Sequence, residues 1–160
     1  MLDHTIPKPN LVGPYELHQI VEGLTDGERP LFYDAGDHLV IRSNANVTPH
    51  GKEQPKLQLG DMSVFRLRAP CFVQTKRTRH YFPLGDWRSR HKWLKKRARG
   101  FEIIQLHSTA KSIAIKSGRM DQTDFTGVLK VTDVEKFNET LKSGVSGCPR
   151  AFGFGMLLIQ

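Results

Sequence analysis

From Pro14 to Thr25, apolar residues fall at Leu17, Ile20, Val21 and Leu24, the i, i+3, i+4, i+7 spacing of one helix face. Pro14 suits the first helical turn and Gly27 closes it. Residues 2–8 predict a short strand before this helix. Leu31–Tyr33 and His38–Arg42 predict two more strands, joined by the turn Asp34-Ala-Gly-Asp37. From Asn44 to Gln58 the chain is polar and broken by Pro49, Gly51 and Pro55, the pattern of a linker or arm. A strict alternation then begins. Between Met62 and Val73, Phe65, Leu67 and Ala69 point one way while Arg66 and Arg68 point the other.

Asp86 and Gly100 bracket a second helix, Trp87 to Arg99. Its packing stripe reads as Trp87, His91, Leu94 and Ala98, with Trp93 at the edge, packing rather than stacking. Strands follow at Phe101–His107, at about Lys111–Lys116 and at Phe125–Val131. Asp133 caps a helix from Val134 to Lys142, and the apolar run Met156–Ile159 ends the chain. The class is α+β. Residues 59–160 give β-α-β-β-α-β with a split third strand, the ferredoxin-like order. Residues 1–58 give β-α-β-β and stop short, an abbreviated echo of the same topology.

Composition sharpens this picture in one place. The 160 residues carry a net charge of +8, yet ten Lys/Arg residues and one acid lie between Lys76 and Arg99, leaving the remainder near neutral. A charge so concentrated reads as a docking surface for a polyanion. No apolar run approaches membrane-spanning length, and the N-terminus lacks the pattern of a signal peptide, so no membrane partner is expected. Cys71 and Cys148 form no metal-ligand spacing and read as inert thiols in a reducing, cytoplasmic setting.

Candidate chemistry is sparse. On the first helix His18 lies off the apolar stripe, with Tyr15 three residues before it and Glu22 four after, on one face. Imidazole gives and takes protons near neutral pH, and a neighbouring phenol can orient it. The other histidines, at 4, 38, 50, 80, 91 and 107, show no metal-ligand spacing; no metal or cofactor is expected. Gly144, Gly147, Gly153 and Gly155 interleave with Arg150, Phe152 and Phe154 before the last strand. Such a segment is either a phosphate cradle built from backbone N–H groups or a tight loop before a buried strand. The basic helix suits clamping of a structured RNA backbone better than base reading, because the major groove of an RNA stem is too narrow to read.

Taken in order, Tyr15-Glu-Leu-His18, Val64-Phe-Arg-Leu-Arg-Ala-Pro70, the Trp-bearing basic helix, Phe125-Thr-Gly-Val-Leu-Lys-Val131 and Gly144-Val-Ser-Gly-Cys-Pro-Arg-Ala-Phe-Gly-Phe-Gly-Met-Leu-Leu158 resemble the CasE family. These are the endoribonucleases that process CRISPR repeat transcripts in Cascade complexes. The resemblance implies two tandem ferredoxin-like (RRM-like) domains, the first of them abbreviated here. It implies metal-independent cleavage of a repeat stem-loop by 2′-OH attack, leaving a 2′,3′-cyclic phosphate. It further implies that the enzyme stays on the 3′ hairpin of the guide RNA beside other effector-complex subunits. By position, His18 becomes the general acid/base and Tyr15 its assistant. Lys76, Arg77, Arg79, Arg88, Arg90, Lys92, Lys95, Lys96 and Arg99 become the stem grip, with Arg66 and Arg68 beside them. Gly144, Gly147, Arg150, Gly153 and Gly155 become the clamp on the RNA backbone. A second reading keeps the grip and drops the cleavage: a non-cleaving hairpin-binding subunit. A third is an unrelated basic module, such as a ribosomal or DNA-binding protein.

Overall fold

The computed structural model describes residues 1–10 and 12–160. Its N-terminal sheet is built from β1 (Leu2–Pro7), β2 (Leu31–Asp34), β3 (His38–Ser43) and β4 (Lys52–Glu53), in the order β2-β3-β1-β4. Helix α1 (Pro14–Leu24) packs Leu17 and Val21 onto Phe32, Leu39 and Ile41 of this sheet. Leu24, expected on the same stripe, is instead exposed at the end of the helix. The polar stretch read as a linker supplies β4, whose two residues pair antiparallel with Leu2 and Asp3. The unit therefore has four strands in the ferredoxin-like order and lacks only the second helix. Gly51 lets this segment pass against His4, where an added Cβ would sit 2.6 Å from the imidazole Cε1.

The C-terminal unit has the complete pattern. Strand β5 (Met62–Ala69) leads into a small hairpin, β6 (Phe72–Thr75) and β7 (Thr78–Tyr81), and then to α2 (Trp87–Lys95). Next come β8 (Phe101–Ile115), β9 (Gly118–Val131), α3 (Val134–Ser143), a 3-10 turn over Arg150–Phe152, and β10 (Leu158–Ile159). The sheet order is β10-β5-β9-β8. Phe65, Leu67 and Ala69 of β5 face the core with Phe125, Leu129, Phe101 and Phe137, as the alternation requires. Asp86 accepts from the Ser89 N–H at 3.0 Å and Asp133 from the Lys136 N–H at 3.1 Å, so both helix starts are capped by side chains. Hydrogen bonds from the Ser89 and Lys136 side chains, and then from these N–H groups, hold the two carboxyls below the usual aspartate range.

Three differences from the sequence reading have physical causes. The predicted strand Met62–Val73 breaks at Pro70, and its far end folds into the β6–β7 hairpin, with Lys76 and Arg77 at the turn. The strands expected at 101–107 and 111–116 are one 15-residue strand, carried through a bulge between Ile103 and Gln105 that leaves Ile104 exposed. No split exists. Helix α2 ends at Lys95 rather than Arg99, and the chain tightens through Arg97 N–H to Leu94 C=O (2.9 Å) into Gly100. There φ is +80°, and a Cβ would run into the backbone of Lys136 at 2.6 Å, so only glycine lets α3 start this close.

The two units are joined by a dense polar and apolar contact. Arg42, fully buried, grips Asp3 with Nε and Nη2 at 2.7 and 2.8 Å. Its Nη1 donates to the carbonyls of Leu141 and Leu157 at 2.8 and 3.1 Å. Arg68 pairs with Asp124 at 2.6 Å, donates to the Asp34 carbonyl at 2.9 Å and lies over the Tyr33 ring at 5.2 Å. Leu31 and Tyr33 pack on Met156. These contacts form a seam that joins the sheet under α1 to β5, α3 and the end of the glycine-rich loop.

Candidate functional site

On α1 the His18 Nε2 lies 3.2 Å from Glu22 Oε1, and the imidazole is about one-fifth exposed. Arg29 Nε lies 3.6 Å from the same carboxylate oxygen. Tyr15, one turn before His18, is exposed. Pro14 at the helix start and burial of Leu17 and Val21 turn this side of α1 away from the core; His18 and Glu22 meet there, and Tyr15 stands one turn earlier. The carboxylate restrains the ring, while a phenol and an imidazole stand a turn apart on an accessible surface.

A residue that sequence reasoning missed completes this face. Lys116, at the turn of the β8–β9 hairpin, places Nζ 3.8 Å from the centroid of the Tyr15 ring. Lys116, Ile115, Tyr15, Pro14 and Phe152 line a cavity of about 340 Å³ between the hairpin tip, α1 and the 3-10 turn. A lysine 101 positions from its neighbour Tyr15 carries no local signal; only the length of the hairpin brings it there. Among the described residues, no group of three or more His, Cys, Asp or Glu side chains gathers as a metal-ligand set.

The glycine-rich loop divides into an inner and an outer part. Gly153 and Gly155 are buried, and their N–H groups donate to the carbonyls of Arg150 (3.1 Å) and Arg68 (2.9 Å). They do not form an open cradle of free amides. Gly153 packs against Phe32 and Gly144 against Leu31, both from the N-terminal unit, so these glycines let the loop lie on the seam. Gly153 has φ +71°, and a Cβ there would stand 2.8 Å from Phe32 Cε2. Gly153→Ala is expected to cost about 1–3 kcal/mol of unfolding free energy in urea. Gly85→Ala, where nothing lies within 4 Å, should stay within about 0.5 kcal/mol. Equal effects at the two positions would remove the packing role assigned to Gly153.

The outer part faces a basic hollow. Arg150 donates to the Ser143 carbonyl at 2.8 Å. With Arg97, Arg99, Lys136 and Glu139 it lines a cavity of about 250 Å³. Gly147 is exposed beside Arg97, whose guanidinium lies 4.0 Å from the Trp93 ring centroid and is pushed below its usual value by burial. Arg150 is the loop's own cation, but Arg97 is a second one pressed against it. Desolvation pushes the thiols of Cys71 and Cys148 up to about 12, which leaves both as thiols at neutral pH.

The basic residues separate in the same way. Arg66, Lys76, Arg77, Arg79, Arg88, Lys92, Lys95, Lys96 and Arg99 are exposed. Arg90 departs from its expected place in the grip. Its guanidinium is buried, paired with Asp121, and donates to Thr123 Oγ1 (3.0 Å) and to the carbonyls of Phe82 (3.0 Å) and Pro83 (2.6 Å). It holds α2 to the sheet and has no donor left for a partner. Arg68 likewise serves the seam. Trp87, placed on the packing stripe from sequence, is exposed instead, and the buried face of α2 is Arg90, Trp93 and Leu94.

Two ferredoxin-like units thus carry a surface of exposed cations and, on α1, a partly exposed His-Glu-Tyr face. The chain matches the family model for CRISPR associated proteins over residues 29–160 and belongs to that family. A comparison with curated protein sequences finds no match. Among solved structures, it is similar to Thermus thermophilus Cse3 bound to an RNA representing a pre-cleavage complex. That match has 20% identity and a TM-score of 0.80, covering 99% of this chain and 98% of that one. It is similar to the CRISPR-associated protein Cas6e from Escherichia coli K-12, at 20% identity and a TM-score of 0.74, covering 99% and 97%. It also matches a chain of E. coli Cascade bound to a PAM-containing double-stranded DNA target. The identity there is 19% and the TM-score 0.67, covering 99% and 98%. At such identities the likeness establishes the fold: two tandem ferredoxin-like domains, the first abbreviated.

Proposed function

We propose that this chain is a metal-independent endoribonuclease that cuts CRISPR repeat transcripts at a stem-loop. It then stays on the 3′ hairpin of the product as a subunit of a cytoplasmic effector complex. The observation that carries the reading is His18, braced by Glu22 and one turn from Tyr15, with Lys116 on the Tyr15 ring. Family membership supports it, as do similar structures described as a CRISPR endoribonuclease bound to a 19-nucleotide RNA and as part of Cascade.

The chemistry needs little from the protein beyond proton transfer, alignment and charge. The ribose 2′-oxygen gives up its proton as it bonds to the adjacent phosphorus. The P–O5′ bond breaks in line, and a proton passes to the departing 5′-oxygen. The products are a 2′,3′-cyclic phosphate and a 5′-OH. His18 transfers protons, Tyr15 holds the reacting ribose or the imidazole in line, and Lys116 offsets the negative charge that builds on the phosphoryl oxygens. The exposed cations of α2 and of the β6–β7 turn hold the stem by its phosphates.

The test is incubation of the purified chain with a repeat hairpin in EDTA, followed by analysis of product ends. Cleavage to a cyclic phosphate and a 5′-OH is expected. Tight binding without cleavage would favour the non-cleaving subunit instead. Cleavage that requires a divalent ion and leaves a 3′-OH would overturn the mechanism.

A further inference from the structure

The indole of Trp87 lies outside the core. The core beneath α2 is filled by Trp93 and Leu94, yet Trp87 stands 51% exposed at the first turn of the helix. Its ring meets the edge of His91 at 5.2 Å between centroids, and His91 is itself held by Ser108 Oγ at 3.1 Å. The Arg88 guanidinium lies 4.9 Å from the indole centroid. Trp87, Arg88, His91, Lys92, Lys95 and Lys96 line one open groove of about 610 Å³. Burial, and then Lys95 and His107, lower the His91 pKa, so at neutral pH this ring is a flat uncharged wall.

A planar π-surface framed by four cations matches one ligand class closely: an aromatic base joined to phosphate. Bases inside a duplex are stacked on each other and offer no free face. We propose that Trp87 is a stacking platform for an unpaired nucleotide of the bound RNA, next to the stem, with Lys92 and Lys95 taking the adjoining phosphates. The inference rests on the reading that the chain binds an RNA stem-loop, and it adds a subsite for non-duplex RNA to the grip on the stem.

The experiment compares affinities for hairpins whose loop, 5′ extension or 3′ extension carries adenosines or, in turn, abasic residues. Phosphate number and salt dependence are then matched, so only the base differs. Wild-type protein should lose about tenfold in affinity when the bases at one of these positions are removed. Trp87→Ala should bind both forms equally, at the weaker level, and Trp87→Phe should keep most of the preference. Circular dichroism and urea unfolding of the variants should match wild type, since the indole supports no core. Equal wild-type affinity for adenosine and abasic RNA at all three positions overturns the stacking platform alone. A Trp87→Ala variant that weakens both forms alike does the same, and makes the indole a contact for the stem or for a protein. Failure to bind any hairpin overturns the RNA reading and the platform with it.

Discussion

His18→Ala is expected to slow cleavage of a repeat hairpin by about 10²–10⁴-fold while leaving its dissociation constant within about twofold. The imidazole is about one-fifth exposed, contacts Glu22, and lies off the face that α1 buries, so its removal leaves no cavity and strips no phosphate contact. The loss should therefore fall on the chemical step. Single-turnover kinetics with enzyme in excess separate it from product release, which would be slow under the proposed retention of the product. Glu22→Gln serves as the companion. Among the described residues the carboxylate pairs with the ring and Arg29 alone, so its effect should be smaller than that of His18→Ala and should appear as a changed pH profile rather than lost binding. A His18→Ala variant that cuts at the wild-type rate removes His18 from catalysis; one that no longer binds makes it a contact residue.

The contrast between α1 and the glycine-rich loop shows what a sequence can and cannot disclose. Tyr15, His18 and Glu22 sit within two turns of one helix, so their common face follows from periodicity alone. Helix starts at Pro14, Asp86 and Asp133 were equally legible, because the fixed φ of proline and a side-chain cap are both local. Strand β4 was not, since its two residues are a strand only because β1 offers an edge. The outer half of β9 was hidden for a related reason. Residues from Ser108 to Gln122 pair in register without a continuous buried face, so period-2 alternation of apolar residues is weak there. That gap also concealed Lys116. The glycines were ambiguous for a different reason: close approach to a ligand and close approach to another part of the chain need the same residue. Leu31 and Phe32, more than a hundred positions upstream, decide the matter for Gly144 and Gly153.

Arg90 carries the second large expectation, and it concerns stability rather than binding. Arg90→Ala should lower the unfolding free energy by about 3–5 kcal/mol, the cost of leaving a buried charge without its partner. The orphaned group is Asp121, which is 2% exposed on its side chain and also accepts from the Cys71 N–H (2.9 Å) and Thr123 Oγ1 (2.8 Å). Those bonds tie β9 to the start of the β6–β7 hairpin, so the hairpin that presents Lys76 and Arg77 should loosen together with α2. Replacing both charges, Arg90→Met with Asp121→Leu, should cost clearly less than the sum of the single changes, because neither charge then stays buried alone. Urea unfolding of the four proteins measures this coupling. The same cycle tests the alternative placement of Arg90 in the RNA grip, which predicts the opposite pattern: unchanged unfolding, weakened hairpin affinity and a shallower dependence on salt. An Arg90→Ala loss under about 1 kcal/mol would mean that the buried pair contributes no more than a surface one.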